Sequence, residues 1–303
     1  MINNTKNYSK AFITNMLVPV TFIIMWSSGA IFVENGLKYA NPLAFLVYRY
    51  LFSMLILWGI YFWFKSKKKK ENQFPRSSKQ WILVICTGFL QQVGYQLFFF
   101  LALDFNVSPG LLSIILGVQP ILTALITKES NTKLQWVGLI LGMLGLILVV
   151  VHNLTTGSMS TIGIICCSLS VLSITLGTFS QNKISISLIP NMVIQYTISF
   201  IIFITFAPFI NTLSINLTFS FIISLAWMVL IISIGATMLL YYMINKGNLT
   251  KVTSLFYCAP PLTAFMDFLI FGHKMTILTL SGLALIVISL IMINKKNESK
   301  PGS

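Results

Sequence analysis

The chain has 303 residues, of which 56% are hydrophobic and only 9% charged, and its mean hydropathy is +0.87. A soluble globular domain carries about a quarter of its residues as charges, so this composition excludes one and points to a protein whose solvent is the bilayer. The formal charge of +14 comes from 20 Lys and Arg against 6 Asp and Glu; in a soluble chain it would suggest an acidic partner, and here its meaning depends on where along the chain it falls.

A helix that crosses a bilayer needs about 20 mostly apolar residues. Runs of that kind, separated by charged or turn-rich breaks, lie at 12–34, 42–64, 81–103, 108–127, 134–152, 159–181, 190–210, 219–243, 251–271 and 276–294. Pro42, Pro109 and Pro190 mark the openings of the second, fourth and seventh, where a proline costs no helix hydrogen bond. The runs are continuously apolar instead of alternating over about 10 residues, which excludes a transmembrane β-barrel. The expected fold is therefore all-α, with ten transmembrane helices in a multi-pass protein of the cytoplasmic membrane.

With ten spans the two termini share a side and the loops alternate. Seventeen of the 20 basic residues then collect on one side, most densely at Lys65, Lys67 to Lys70, Arg76 and Lys79, while the opposite side holds Lys38 and Lys274 and Arg49 lies inside a span. Basic short loops stay in the cytoplasm, so both termini are expected there. Removing one span would reverse every later loop and destroy the asymmetry. Lys6 and Lys10 before an apolar run, with Ser28-Gly29-Ala30, partly meet the pattern of a secretory signal, but the apolar run continues past it and the even count needs it. The polar stretch 295–303 is expected to be a disordered tail.

The chain repeats itself weakly. Pro120-Ile121-Leu122-Thr123-Ala124 matches Pro260-Pro261-Leu262-Thr263-Ala264, and Gly138-Leu139-Ile140 matches Gly282-Leu283-Ala284. This sets span 4 against span 9 and span 5 against span 10. Because five is odd, the second half must insert upside down relative to the first, giving two inverted five-helix repeats at 12–152 and 159–294.

These residues resemble a family. Trp26-Ser27-Ser28-Gly29, Pro42, Tyr48-Arg49, Ala102 to Pro109, Pro120, Glu129 nine residues before Gly138, and then Gly177, Tyr241-Tyr242, Gly247 and Pro260 occur in the order seen in the EamA-like branch of the drug/metabolite transporter superfamily. His273 departs from it, standing where a glutamate is usual. The resemblance implies a secondary carrier or exporter of amino acids, nucleotide precursors, amphipathic drugs or other small metabolites. It also implies alternating access and a site between two halves, walled by spans 1, 3, 4, 6, 8 and 9. Export is the expected direction, with import or facilitated passage of a zwitterionic or quaternary-amine metabolite as the alternative.

Polar side chains inside the bilayer are the candidate site, because they must face a neighbour or a wet cavity. Gln91, Gln92, Tyr95 and Gln96 share one face of span 3. They read as a cavity wall or as interhelical glue. Tyr241, Tyr242 and Asn245 in span 8 read as solute contacts or as an aromatic belt. Trp26 and Ser27 offer an aromatic wall or packing, and Gln119 and Tyr257 sit beside the prolines of spans 4 and 9. Pro120, Pro260 and Pro261 are candidate hinges, since a proline deep in a helix frees carbonyls and bends it; the alternative is a fixed kink.

Arg49 can snorkel outward or pair with Glu34 or Asp104; a structural ion pair is the expected role and an anionic solute the second reading. Asp267 is the only acid inside a span, so it is the residue through which any proton coupling would run. The scarcity of buried acids favours uncharged or zwitterionic solutes over strong cations. Gly138, Gly142 and Gly145 give span 5 a small-residue face, for packing on span 10 or for a homodimer seam.

Cys86, Cys166, Cys167 and Cys258 form no CxxC pair and read as apolar packing residues, and there is no GxxxxGK[ST] phosphate loop. No metal, cofactor or nucleic-acid partner is expected. The expected partners are a small-molecule solute and the lipid bilayer, with the chain a monomer or a homodimer. An intramembrane enzyme would need a base beside a nucleophile, yet His152 and His273 fall at span ends.

Overall fold

The computed structural model describes residues 2–67, 73–105, 107, 109–127, 129, 131–151, 160–209, 213–262, 265–266 and 277–295. Among them the chain is helical, with one isolated bridge pairing Ala40 and Ile215. Helix α1 is Ile2–Leu37 and α2 is Pro42–Ser66. Helix α3 runs over residues 78–104 as Ser78–Gly88, a π-helical segment Phe89–Gly94, and Tyr95–Asp104. Next come α4 (Pro109–Leu116), α5 (Gln119–Thr127), α6 (Lys133–Val151), α7 (Thr161–Asn182) and α8 (Leu188–Phe206). Helix α9 runs over residues 219–246 and also holds a π segment, Met228–Ala236. Helix α10 (Leu249–Ser254) continues as a 3₁₀ turn, Leu255–Cys258, and α11 is Ile277–Asn294.

The helix starts have local chemical causes. Asn41 caps α2 by accepting from the Ala44 N–H at 2.8 Å, with Pro42 in the first turn. Thr132 and Gln135 form a reciprocal capping box ahead of α6, the Gln135 N–H donating to Thr132 Oγ1 at 3.2 Å and the Thr132 N–H to Gln135 Oε1 at 2.9 Å. Thr218 and Asn248 cap α9 and α10 through the Phe221 and Lys251 N–H groups. Helix α8 starts at Leu188, two residues before Pro190, which therefore sits inside the first turn.

Six helices among the described residues are long and apolar enough to cross a membrane: Leu17–Leu37, Pro42–Ser66, Ser78–Ala102, Thr161–Asn182, Leu188–Phe206 and Phe219–Lys246. Shorter apolar helices include Lys133–Val149 and Leu280–Asn294. Large apolar side chains such as Ile82, Phe62, Ile140 and Ile291 point outward, while glutamines, serines and threonines are buried. That is the pattern of a multi-pass membrane protein, whose surroundings are as apolar as its core.

The fourth expected span is not one helix. A turn at Gly117 and Val118 separates α4 from α5, and Pro120 is the second residue of α5. Likewise Pro260 and Pro261 come just after the 3₁₀ turn that ends α10. Each proline therefore starts a helical stretch, where it removes no hydrogen bond, and the irregular backbone lies ahead of it.

Packing divides the chain into two compact units. The first takes Met1–Leu97 and Leu176–Lys246, and the second Phe98–Thr175 and Gly247–Ser303, so the boundaries fall within α3, within α7 and between α9 and α10. In the first unit α2 packs on α8 and α9, α1 on α9, and α3 on α8. In the second, α6 packs along α11, α5 on α10 and α4 on α6.

Candidate functional site

In the first unit, buried side chains of α2, α3, α7, α8 and α9 form one hydrogen-bonded network. The Tyr50 hydroxyl on α2 donates to the Gln92 backbone carbonyl at 2.8 Å, with Gln92 Oε1 at 3.1 Å. Gln92 Nε2 donates to the Tyr241 hydroxyl at 2.9 Å, and that hydroxyl donates to Gln195 Oε1 at 2.6 Å. Gln195 Nε2 then donates to Gln181 Oε1 at 2.9 Å and Asn191 Oδ1 at 2.8 Å, and Asn191 Nδ2 to Gln181 Oε1 at 3.2 Å. Gln91 Nε2 reaches Thr178 Oγ1 at 3.2 Å.

Every member of this chain of bonds is neutral, so each bond contributes about 1 kcal/mol net and can be exchanged for a bond of similar strength to a solute. The amides are not fully used. Gln91 Oε1 and Gln181 Nε2 are buried with no partner among the described residues, an acceptor and a donor within the same unit. Buried polar atoms are nearly always paired.

The backbone that presents Gln91 and Gln92 is π-helical. A π turn inserts one extra residue and re-aims the side chains around it, and such turns recur at functional sites. Gln91 and Gln92 lie in the π segment of α3 and Ser233 in that of α9. A tyrosine grips each segment: Tyr50 donates to the Gln92 carbonyl, and Tyr196 on α8 donates to the Ser233 carbonyl at 2.6 Å, with Thr237 Oγ1 at 3.2 Å. The rings of Tyr50 and Tyr196 are 5.4 Å apart. Gly177 on α7 completes the frame, because a Cβ there would collide with Gln91 Cγ.

Of the other sequence candidates, Tyr95 lies near Tyr50 and Arg49. Tyr95, Gln96 and Tyr242 are half-buried and Asn245 is exposed. Trp26 is half-buried with its ring 5.5 Å from Phe22, and Ser27 is buried beside it. Arg49 is buried and does not snorkel; its Nε donates to Ser233 Oγ at 2.8 Å. The side chains of Glu34 and Asp104, its expected partners, and all of Asp267, His152 and His273 lie outside the described residues. The network also recruits Tyr50, Gln181, Asn191 and Gln195, which sequence reasoning missed, as it missed Tyr196 on Ser233. A signal was present for two of them, since Asn191 and Gln195 stand four apart, on one face of a helix.

The second unit is built differently. Gly142 and Gly145 on α6 lie against α11, where a Cβ on Gly145 would come within 2.8 Å of the Gly282 carbonyl and 2.9 Å of Ile286. The small-residue face is thus covered by α11 of the same chain. Tyr257 is buried among Leu139, Leu146 and Ile286, and its hydroxyl donates to the Leu139 carbonyl at 3.1 Å. Gln135 and Ser289 also bind backbone carbonyls, of Ile293 and Gly138. Gln119 is buried at the start of α5. Glu129 fastens two segments together. Its carboxylate accepts from the Leu249 and Thr250 N–H groups at 2.8 and 3.1 Å and from Thr250 Oγ1 at 2.6 Å, tying the loop after α5 to the start of α10.

Comparison with known proteins decides the family. The EamA-like transporter family pattern matches residues 13–151 and again residues 161–295. The chain belongs to the EamA-like transporter family. Among relatives of this EamA-like protein, the uncharacterized transporter YvbV of Bacillus subtilis (strain 168) is 26% identical over 294 residues, covering 94% of this chain and 92% of that one. An uncharacterized transporter of Archaeoglobus fulgidus is 23% identical over 279 residues, covering 89% and 93%. A crystal structure with 14% sequence identity shares the EamA-like chain's fold at a TM-score of 0.76, covering 92% of this chain and 95% of that one. In the two family matches, Tyr50 and Tyr196 each lie on the second helix, and the carbonyls they grip lie on the third.

Proposed function

We propose that this EamA-like transporter is a secondary carrier that moves a small, polar organic solute across the cytoplasmic membrane by alternating access. Its ten spans form two inverted five-helix repeats with both termini in the cytoplasm, and export is the direction of flux. The solute meets the amide and tyrosine network of the first unit, with Gln91, Gln92, Gln181, Gln195 and Tyr241 as its hydrogen-bonding groups. The observation that carries this reading is a buried neutral network holding an unused donor, Gln181 Nε2, with an unused acceptor, Gln91 Oε1, in the same unit.

The test is flux in liposomes containing the purified chain. Ligands for the assay come from a thermal-shift screen of amino acids, nucleosides and quaternary amines, since a bound solute stabilises by RT ln(1 + [L]/Kd). Gln92→Ala and Gln195→Ala should each cut flux about tenfold, equivalent to about 1.4 kcal/mol, while the protein remains folded. Unchanged flux in both variants contradicts the site.

A further inference from the structure

Arg49 holds its charge inside the first unit. Its side chain is 4% exposed, so it faces the protein interior and reaches neither lipid headgroups nor bulk water. Among the described residues its hydrogen-bond partner is the neutral Ser233 Oγ, which takes Nε. The guanidinium carbon stands 5.8 Å from the centre of the Tyr50 ring. No carboxylate among the described residues pairs with it, and a guanidinium keeps its charge at any depth. Burying a charge without a counter-ion is costly, and among the described residues no carboxylate offsets the charge of Arg49.

Two features show what would offset it. With Nε taken by Ser233, the two Nη groups remain as an end-on fork, the geometry that receives both oxygens of one carboxylate. One turn further along α2, on the same face, Ser53 is fully buried and its hydroxyl has no partner among the described residues. Arg49 is also the one buried cation among the described residues. A single cation matches a monoanion better than a phosphate dianion.

Resting on the transport reading above, we infer that Arg49, with Ser53 and Ser233, is the anchor for a carboxylate of the transported solute. The solute is a small organic acid or a zwitterion. Its carboxylate lies in the Arg49 fork and its other polar groups meet the amides of the same unit.

Arg49 and Arg76 are the only arginines of the chain, which makes a chemical test clean. In the full-length Arg76→Lys protein, Arg49 is reacted with phenylglyoxal in proteoliposomes and its modification is monitored by peptide mass spectrometry. Phenylacetate, phenyl phosphate and phenylacetamide are added in separate arms. The expected result is that Arg49 reacts and that phenylacetate at ten times its Kd slows the reaction about tenfold, while phenylacetamide does not. Ser53→Ala should weaken that protection without abolishing labelling.

An unreactive Arg49 overturns the assignment, as does equal protection by phenylacetate and phenylacetamide. Protection by phenyl phosphate alone overturns the carboxylate class. The two readings fail separately. Carboxylate protection without flux in liposomes would leave the anchor and remove the carrier, whereas flux without protection would do the reverse.

Discussion

The two packing units use buried polar groups in opposite ways. In the second unit the hydroxyls and amides of Tyr257, Ser289 and Gln135 each end on a backbone carbonyl, and the contact between α6 and α11 is set by glycines. Such bonds have one fixed geometry. In the first unit side chain bonds to side chain from Tyr50 through Gln92, Tyr241 and Gln195 to Gln181 and Asn191, and partners can be traded without breaking a helix. The same residue types therefore bond to the backbone in one unit and to one another in the other.

The largest effect should come from spoiling the glycine contact. Gly282→Leu forces a side chain against the Gly145 carbonyl and Val149, and overpacking of this kind costs about 3 kcal/mol or more. Thermal unfolding in detergent should show a large loss of stability, whatever the solute. Gln195→Leu comes next and should separate the units. It strips bonds from Tyr241, Gln181 and Asn191, costing about 1–3 kcal/mol, and flux should fall more steeply than stability.

Glu129→Gln should cost about 1 kcal/mol by weakening charge-assisted bonds to the start of α10. Its flux per folded molecule should stay normal, because the carboxylate serves a helix start. The smallest effect is expected from Tyr257→Phe, which removes one bond to the Leu139 carbonyl and should lower stability by about 1 kcal/mol with transport intact. Loss of transport in Tyr257→Phe would break the contrast between the units.

Much of this was legible in the sequence. Helix type and the apolar spans are dictated by composition and run length, and Gln91 and Gln92 stand out because polar pairs are rare in an apolar run. Gln195 and Asn191 lay inside the expected span 190–210 and were passed over, although they stand four apart on one helix face. The π segments of α3 and α9 were invisible, since a 3.6-residue period assumes regular helix. That assumption put Tyr95 and Gln96 on the same face as Gln92; Tyr95 does lie near Tyr50 and Arg49, while the extra residue in the π turn shifts the register beyond it. The partner of Arg49 depends on which face of α2 meets α9, and no local pattern specifies that.

If the contrast between the units is functional, the amide network of the first opens to water during transport while the core of the second stays sealed. With Cys86, Cys166, Cys167 and Cys258 replaced, Gln195→Cys and Ile286→Cys can be probed with a membrane-impermeant thiol reagent applied from either side of the liposome. The cysteine at position 195 should react from both sides, more slowly when solute is bound, while the cysteine at position 286 stays unreactive. A sealed position 195, or equal reactivity at both positions, would mean that the network is not the solute path.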